Sequence, residues 1–325
     1  MVRRLGAVAM RGMTRTPVLS ACTAAACLAA APLARAHVPD LPAGSTEVPW
    51  TFEPWIVCLL LLGSALYAAG LRNLWRRAGI HRGVSGWQAA AFAGGQLALV
   101  AALVSPLDAL GTLLFSAHMV QHEILMVVAA PLLVIGRPLA VWAWGLPPRW
   151  RSGAGNAARL GPIAATWRLL THPAVAWALH GVVLWAWHMP RLFEAALARP
   201  GVHTLQHTSF FASALLFWWA PLGSASRQGQ GASMFYLFTT MVHTAALGAL
   251  LTLSPALWYP AYASTSPAFG LDPLEDQQLG GLVMWVPAGL AYLAVGLALA
   301  ARWLRDGGMA RGSTLKMQTP GSGTK

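Results

Sequence analysis

Charged residues are scarce in this chain, and their scarcity indicates the class of protein. Of the 325 residues only 10% are charged, whereas 56% are hydrophobic. An ordinary soluble domain carries roughly 25% charged residues. A soluble core cannot enclose so many uncharged stretches, so the lipid bilayer is the solvent that suits them. The composition therefore predicts an all-α integral membrane domain.

Cysteine is also scarce, with three residues in the whole chain. Two of them, Cys22 and Cys27, lie in residues 1–36, where a basic leader and an apolar stretch precede a small-residue motif at 34–36. This pattern predicts a signal peptide that is cleaved after the motif, and an uncleaved first span is the alternative. Because only Cys58 would then remain, the sequence excludes a disulfide framework and a CxxC metal site.

Seven apolar segments follow the predicted signal, and most are close to the ~20 residues needed to cross the hydrocarbon. They are residues 52–71, 86–104, 113–135, 174–188, 203–222, 232–254 and 279–304. The sequence therefore predicts a bundle of seven transmembrane helices over residues 37–305. A disordered cytoplasmic tail is predicted over residues 306–325, which are rich in Gly, Ser, Thr and Lys.

Basic residues are distributed unevenly between the two sides of this bundle. The segments on one side hold fifteen Lys and Arg residues, whereas the opposite loops hold only Arg191 and Arg199. Cytoplasmic loops collect positive charge, so the N-terminus is predicted outside and the C-terminus inside. The net charge of +12 then reflects topology and anionic membrane lipid, and it requires no nucleic-acid partner. The basic, Trp-containing loop between Ile135 and Thr171 is predicted to lie along the inner leaflet.

Histidine is abundant for so apolar a chain, with ten residues, and ionisable groups inside a membrane usually mark function. His118 and His122 are four residues apart near the outer end of the third predicted span, and His203 and His207 repeat this spacing in the fifth. Residues four apart share one helix face, so each pair could bind one metal ion. His188 ends the fourth span on the same side of the membrane.

Two further residues could join these histidines. His243 lies near the middle of the sixth predicted span, and Asp276 lies at the outer start of the seventh. The predicted metal site therefore comprises His118, His122, His203, His207, His188, His243 and Asp276. Imidazole suits copper, zinc and iron alike, so the residues leave the metal open, haem included. The structural alternative is a polar network of hydrogen bonds between helices.

Several longer motifs add to this picture. They are SPLD at 105–108, HMVQHEILMVVAAPLLVIGRP at 118–138, WHMPRLFEAAL at 187–197, VHTLQHTSFFASALLFWW at 202–219 and DQQLGGLVMWVP at 276–287. In these motifs the chain resembles the CtaG family of cytochrome c oxidase assembly factors, which are polytopic proteins of bacterial membranes. The resemblance implies a role in producing active, copper-containing oxidase in the inner membrane, with oxidase subunits as partners. Carried over to this chain, it implies copper held by His118, His122, His203 and His207, with Asp276 as a further candidate.

Two other classes stay open beside a non-enzymatic assembly factor. A seven-span, zinc-dependent membrane hydrolase would use His and Asp to hold a zinc ion that activates water, with Ser105, Ser116 or Ser209 nearby. A b-type haem protein would take one His from each of two facing helices. A cluster at one membrane face, however, argues against electron transfer across the bilayer.

Overall fold

The computed structural model describes residues 48–223 and 229–317, so the predicted signal at 1–36 lies outside the described residues. All regular structure in these ranges is helical, which confirms the all-α prediction. The helices are α1 (Pro54–Ala78), α2 (Gly86–Leu103), α3 (Pro106–Gly111), α4 (Phe115–Glu123), α5 (Ala130–Gly136), α6 (Pro138–Gly145), α7 (Pro148–Ala157), α8 (Gly161–Leu170), α9 (Pro173–Trp187), α10 (Pro190–Ala198), α11 (Pro200–Leu222), α12 (Gln230–Thr252) and α13 (Pro273–Met317). A π-helical segment, Ile124–Ala129, joins α4 to α5, and two short 3₁₀ helices, Pro260–Tyr262 and Ser266–Phe269, precede α13.

Several helices are suited to a membrane in length and composition, so the chain is a multi-pass membrane protein. The described residues contain five such stretches, which are Pro54–Ala78, Gly86–Leu103, Phe115–Gly136, Gln230–Thr252 and Pro273–Arg305. Helices α8 and α9, bent by 66° at their junction, add a sixth if they form one span. Helix α11 matches the fifth predicted segment in position but is not among these stretches. Five or six candidate spans are therefore present, and the seven spans and the orientation of the termini stay predictions.

The final helix is longer than the sequence predicts. Its backbone is helical to Met317, and it thus continues into the segment for which the sequence predicts disorder. Residues 318–325 of that segment lie outside the described residues.

The third membrane helix changes its helical register halfway along. In the π-helical segment the Ala130 N–H donates to the Leu125 carbonyl, five residues back. The next bond in this register would join the Met126 carbonyl to residue 131, which is Pro and has no N–H. The Trp218 Nε1–H of α11 donates to the Met126 carbonyl at 2.8 Å instead. A side chain of a neighbouring helix therefore supplies the hydrogen bond that the proline removes.

Helix α6, predicted to lie along the inner leaflet, packs against α1. The Trp142 Nε1–H donates to the Gly63 carbonyl at 2.8 Å, and the Asn73 side chain donates to the Trp144 carbonyl at 3.0 Å. The missing side chain of Gly70 lets the backbone of Val141 come into close contact with α1. These contacts reach the middle of α1, so this part of the basic loop belongs to the helical bundle.

Helices α12 and α13 pack closely and hold the start of α13 against α4. A side chain at Gly281 would come within 2.7 Å of the Gly248 carbonyl, so the two helices approach at backbone distance. Near the start of α13, Gly280 lies directly against the ring of Phe115, the first residue of α4. This packing fixes the N-terminal end of the helix that carries His118 and His122.

Candidate metal centre

Three helices bring five of the predicted histidines together at one end of the bundle. His118 and His122 lie on α4, His203 and His207 on the first turns of α11, and His188 directly after α9. Helices α4 and α11 begin at this end and α9 finishes there, so residues distant in sequence share one depth. We refer to these five residues as the histidine cluster.

The rings of the histidine cluster are in direct contact. The ring centroids of His118 and His122 are 4.4 Å apart, and those of His203 and His207 are 4.1 Å apart. Between the helices, His122 and His207 lie 5.2 Å apart, and His188 lies 6.2 Å from His122. The two rings of each i,i+4 pair thus lie on one face of their helix, as the spacing predicts, and the two faces meet between α4 and α11.

Two rings are held in a defined tautomer by backbone carbonyls. The Nδ1 atom of His118 lies 3.1 Å from the Gly111 carbonyl oxygen, and that of His188 lies 2.7 Å from the Leu184 carbonyl oxygen. A carbonyl oxygen only accepts hydrogen bonds, so Nδ1 carries the proton in both rings. Each Nε2 is therefore left with a free lone pair, which is the arrangement found in most metal-ligating histidines.

The remaining ring nitrogens are buried without a partner. Within the described residues no hydrogen bond reaches Nε2 of His118, His188, His203 and His207 or either nitrogen of His122. A buried polar atom without a hydrogen bond costs about 1–3 kcal/mol. Six such nitrogens in one cluster therefore call for a further interaction that offsets this cost. One ligand atom each of His118, His203 and His207 lie within 4.8 Å of one another. Nitrogens bound to one tetrahedral ion lie roughly 3.3 Å apart, given bonds of about 2.0–2.1 Å, so small ring movements suffice and the donor set fits a metal ion.

Asp276 lies beside the cluster and accepts hydrogen bonds from the start of α4. Its carboxylate accepts the backbone N–H of Phe115 at 2.7 Å and of Ser116 at 3.0 Å, together with the hydroxyls of Ser116 at 2.5 Å and Ser266 at 2.9 Å. Both carboxylate oxygens therefore accept two hydrogen bonds each, and the negative charge lies at the N-terminus of α4. In the described structure this carboxylate caps the helix that carries His118 and His122, and its role as a metal ligand stays a prediction.

His243 lies apart from the histidine cluster. Its ring contacts Trp177 at a centroid distance of 5.6 Å and lies near Gly181, two turns from His188 along α9. Both of its ring nitrogens are buried without a hydrogen bond in the described chain. The structure thus brings five of the seven predicted residues together, places Asp276 beside them at the start of α4 and places His243 apart, against Trp177.

Phe193, Tyr259 and Tyr262, which the sequence did not indicate as part of the site, close one side of the cluster, and we call them the aromatic cover. Phe193 lies 5.0 Å from His118 and 4.4 Å from Tyr259, measured between ring centroids. The hydroxyl of Tyr259 donates to the His188 carbonyl and that of Tyr262 to the Gly111 carbonyl, both at 2.8 Å. Burial raises the pKa of both tyrosine hydroxyls, so they stay neutral donors. The segment WYPAYAS at 258–264 gives little signal for this role, because tyrosine is common at membrane interfaces.

Comparisons with known proteins agree with the sequence motifs. The family model for the cytochrome c oxidase caa3 assembly factor (Caa3_CtaG) matches residues 65–306. An uncharacterized protein of Mycobacterium leprae is 28% identical over 269 residues, which are 79% of this chain and 40% of that protein. A second relative, from Mycobacterium bovis, is 28% identical over 271 residues with the same coverage. The chain thus spans 40% of the length of these curated relatives. No solved structure matches the chain.

Proposed function

Because the chain belongs to the family of cytochrome c oxidase caa3 assembly factors, we propose that it binds copper through its histidine cluster and aids metallation of the oxidase. The site would lie at the outer face of the bacterial inner membrane. Its partners would be the oxidase subunits that receive the metal. The observation that carries the proposal is the group of buried, unpartnered imidazole nitrogens on α4 and α11.

A metal ion accounts for the cluster better than a hydrogen-bonded network does. A neutral imidazole offers one donor and one acceptor, so five adjacent rings could pair with one another. The described structure instead leaves six ring nitrogens without partners although the rings touch. One ligand atom each of His118, His203 and His207 lie close enough together to be bridged by a single cation.

The same geometry weighs against haem and against a hydrolase. Neighbouring rings whose centroids lie 4.1–6.2 Å apart leave space for an ion rather than for a macrocycle between them. A hydrolase needs a general base and a serine or water near the metal. Asp276 is occupied in capping α4, and the hydroxyl of Ser116 donates to it. The hydroxyl of Ser209 donates to the Gln206 carbonyl.

The chain's own residues would divide the work between binding and positioning. His118, His203 and His207 would hold the ion, and His122 and His188 lie close enough to take part in its exchange. The bound ion would supply the metal that the oxidase needs. The Gly111 and Leu184 carbonyls orient two rings, and Asp276 fixes the end of α4. The aromatic cover excludes water, which favours a soft, weakly hydrated ion such as copper(I).

The test is metal analysis combined with copper K-edge absorption on purified full-length protein. Wild type, the double variant His118→Ala/His207→Ala and the control His243→Ala would be loaded with copper and desalted. The control removes a buried histidine that lies outside the cluster. We expect wild type and His243→Ala to retain copper with nitrogen ligands, and the double variant to lose it.

Other outcomes would overturn the proposal in identifiable ways. Equal copper in the double variant would place the metal elsewhere in the chain. Zinc retained in place of copper, with amide or ester hydrolysis, would favour the hydrolase. A protein that retains no metal would leave the histidines as a packing motif and the chain as a scaffold for oxidase subunits.

A further inference from the structure

A cavity of about 270 Å³ lies directly beside the histidine cluster. We call it the lateral cavity. Its wall includes Glu53, which precedes α1, Asp108 of α3, and His203, Thr204 and His207 of α11. Most of the remaining wall is aliphatic or aromatic. The polar groups of the lateral cavity are therefore carboxylates, imidazoles and threonine hydroxyls.

Exposure within the cluster increases toward the lateral cavity. His122 and His118 are 0% and 1% exposed, and His188 is 2% exposed. His207, whose Nε2 is unpartnered in the described structure, is 8% exposed, and His203 is half-buried. The two most accessible ligand candidates are thus the two that line the cavity.

Packed rings that do not line the cavity close another side of the cluster. Phe193 and Tyr259 are 0% exposed and Tyr262 is 1% exposed. Phe115 stacks on Tyr259 at a centroid distance of 4.7 Å. Hydrogen bonds hold both tyrosines to the backbone of neighbouring segments. An ion could enter through this cover only if several packed aromatic rings moved together.

Glu53 is held at the wall of the lateral cavity. Its carboxylate accepts the indole N–H of Trp55 at 2.6 Å. The chain just before it is fixed to the end of α2, because the Thr51 N–H donates to the Val104 carbonyl at 3.1 Å. The carboxylate and the ring of His203 line the same cavity. An anchored negative charge therefore lies next to the most exposed histidine of the cluster.

We propose that the lateral cavity is the entrance through which copper reaches the histidine cluster, and that Glu53 is the carboxylate that attracts the cation. The inference rests on the proposed function, since it concerns how the same site is filled. A carboxylate in a cleft with low-dielectric walls focuses the electric field and raises the local cation concentration. The ion would then pass to His203 and His207, which face the cavity, before the more deeply buried rings.

The test compares rates of copper loading rather than the final amount bound. Purified full-length wild type, Glu53→Gln and the control Glu275→Gln would be mixed with copper(I) chloride under anaerobic conditions, and timed samples would be desalted and analysed for metal. Glu275 is an exposed acid near the start of α13 that does not line the cavity. We expect Glu53→Gln to load about tenfold more slowly, at the low end of electrostatic steering effects. Its final copper content should equal that of wild type, and Glu275→Gln should load at the wild-type rate.

Added salt supplies a second readout in the same assay. Steering by a partly exposed charge weakens as ionic strength rises, so salt should slow loading of wild type more than of Glu53→Gln. Equal rates and equal salt dependence in the two proteins would overturn the inference while the proposed function stands. A wild type that retains no copper would refute the proposed function, and the entrance would fall with it.

Thiol labelling tests the opening of the lateral cavity without metal. Thr204→Cys, in a chain whose three native cysteines are replaced by serine, would be treated with a membrane-impermeant maleimide. We expect labelling in the metal-free protein and slower copper loading after labelling, because the adduct fills the entrance. A protein that loads copper at the unlabelled rate after complete labelling would show that the ion enters by another route.

Discussion

The substitution Asp276→Asn separates a capping carboxylate from a metal ligand. Each carboxylate oxygen accepts one backbone N–H and one hydroxyl in the structure, Phe115 N–H with Ser266 on one side and Ser116 N–H and Oγ on the other. The hydroxyls can rotate to meet a new partner, whereas the N–H groups cannot. Whichever way the Asn amide is turned, its NH₂ group faces one fixed donor.

The expected loss in the free energy of unfolding follows from these contacts. A buried donor that loses its acceptor costs about 1–3 kcal/mol, and the lost negative charge at the N-terminus of α4 adds a further fraction, up to ~2 kcal/mol in partly buried geometries. We therefore expect Asp276→Asn to lower the free energy of unfolding by about 2–4 kcal/mol. Copper bound at saturation should stay at the wild-type level, because the five histidines are unchanged.

Detergent-solubilised protein unfolded by SDS titration would give the free energy. It should be measured on metal-free samples, since a bound ligand stabilises the folded state by mass action. The matched control is Asp272→Asn, because Asp272 is exposed and accepts one backbone N–H, from Leu274 at 2.8 Å. The control should lose less stability. If Asp276→Asn lost its copper while its unfolding free energy stayed equal to that of wild type, Asp276 would be a ligand and the capping argument would be refuted.

Three further predictions concern the fold. Trp218→Phe should lower stability by about 1–3 kcal/mol in the same titration, because it leaves the Met126 carbonyl without the donor that replaces Pro131; an unchanged value would mean that another group satisfies this carbonyl. Gly281→Ala should lower stability by about 1–3 kcal/mol, because the new Cβ would lie 2.6 Å from the Thr252 N atom. The control Gly289→Ala places its Cβ more than 4 Å from any described atom of a neighbouring segment. It should be neutral or stabilise the protein by up to about 1 kcal/mol. Alkaline phosphatase fused after residue 270 should be active and the same fusion after residue 160 inactive, as the basic loops require; the reverse pattern would invert the membrane orientation.

The sequence was informative wherever local spacing determines geometry. Two i,i+4 histidine pairs predict two shared helix faces, and both pairs are found as such in the structure. His188 was predicted on the same side because it ends a helix where the other two begin, and its ring lies 6.2 Å from that of His122. The helices themselves were recognised from long apolar segments, which a bilayer imposes directly on composition.

Roles that depend on contacts between atoms of different helices could not be predicted from local spacing. Asp276 lies in the first turn of α13, close to the cluster, and only the structure shows that its oxygens accept hydrogen bonds from N–H groups of α4. His243 shares the residue type of the cluster, but its helix presents it to Trp177. Glu53 lies far from α11 in sequence, so its position beside His203 depends on how α1 packs.

The π-helical segment allows the two halves of one membrane helix to serve different neighbours. An additional residue in a helical turn rotates every later side chain by roughly 100° about the axis. The half before Ile124 presents histidines to α11, and the half after Ala129 can present its packing residues in a direction that a continuous α-helix would not allow. The half after Ala129 packs on α2 and α11, so the change of register lets one continuous membrane helix supply both the histidine face and a packing face of the bundle.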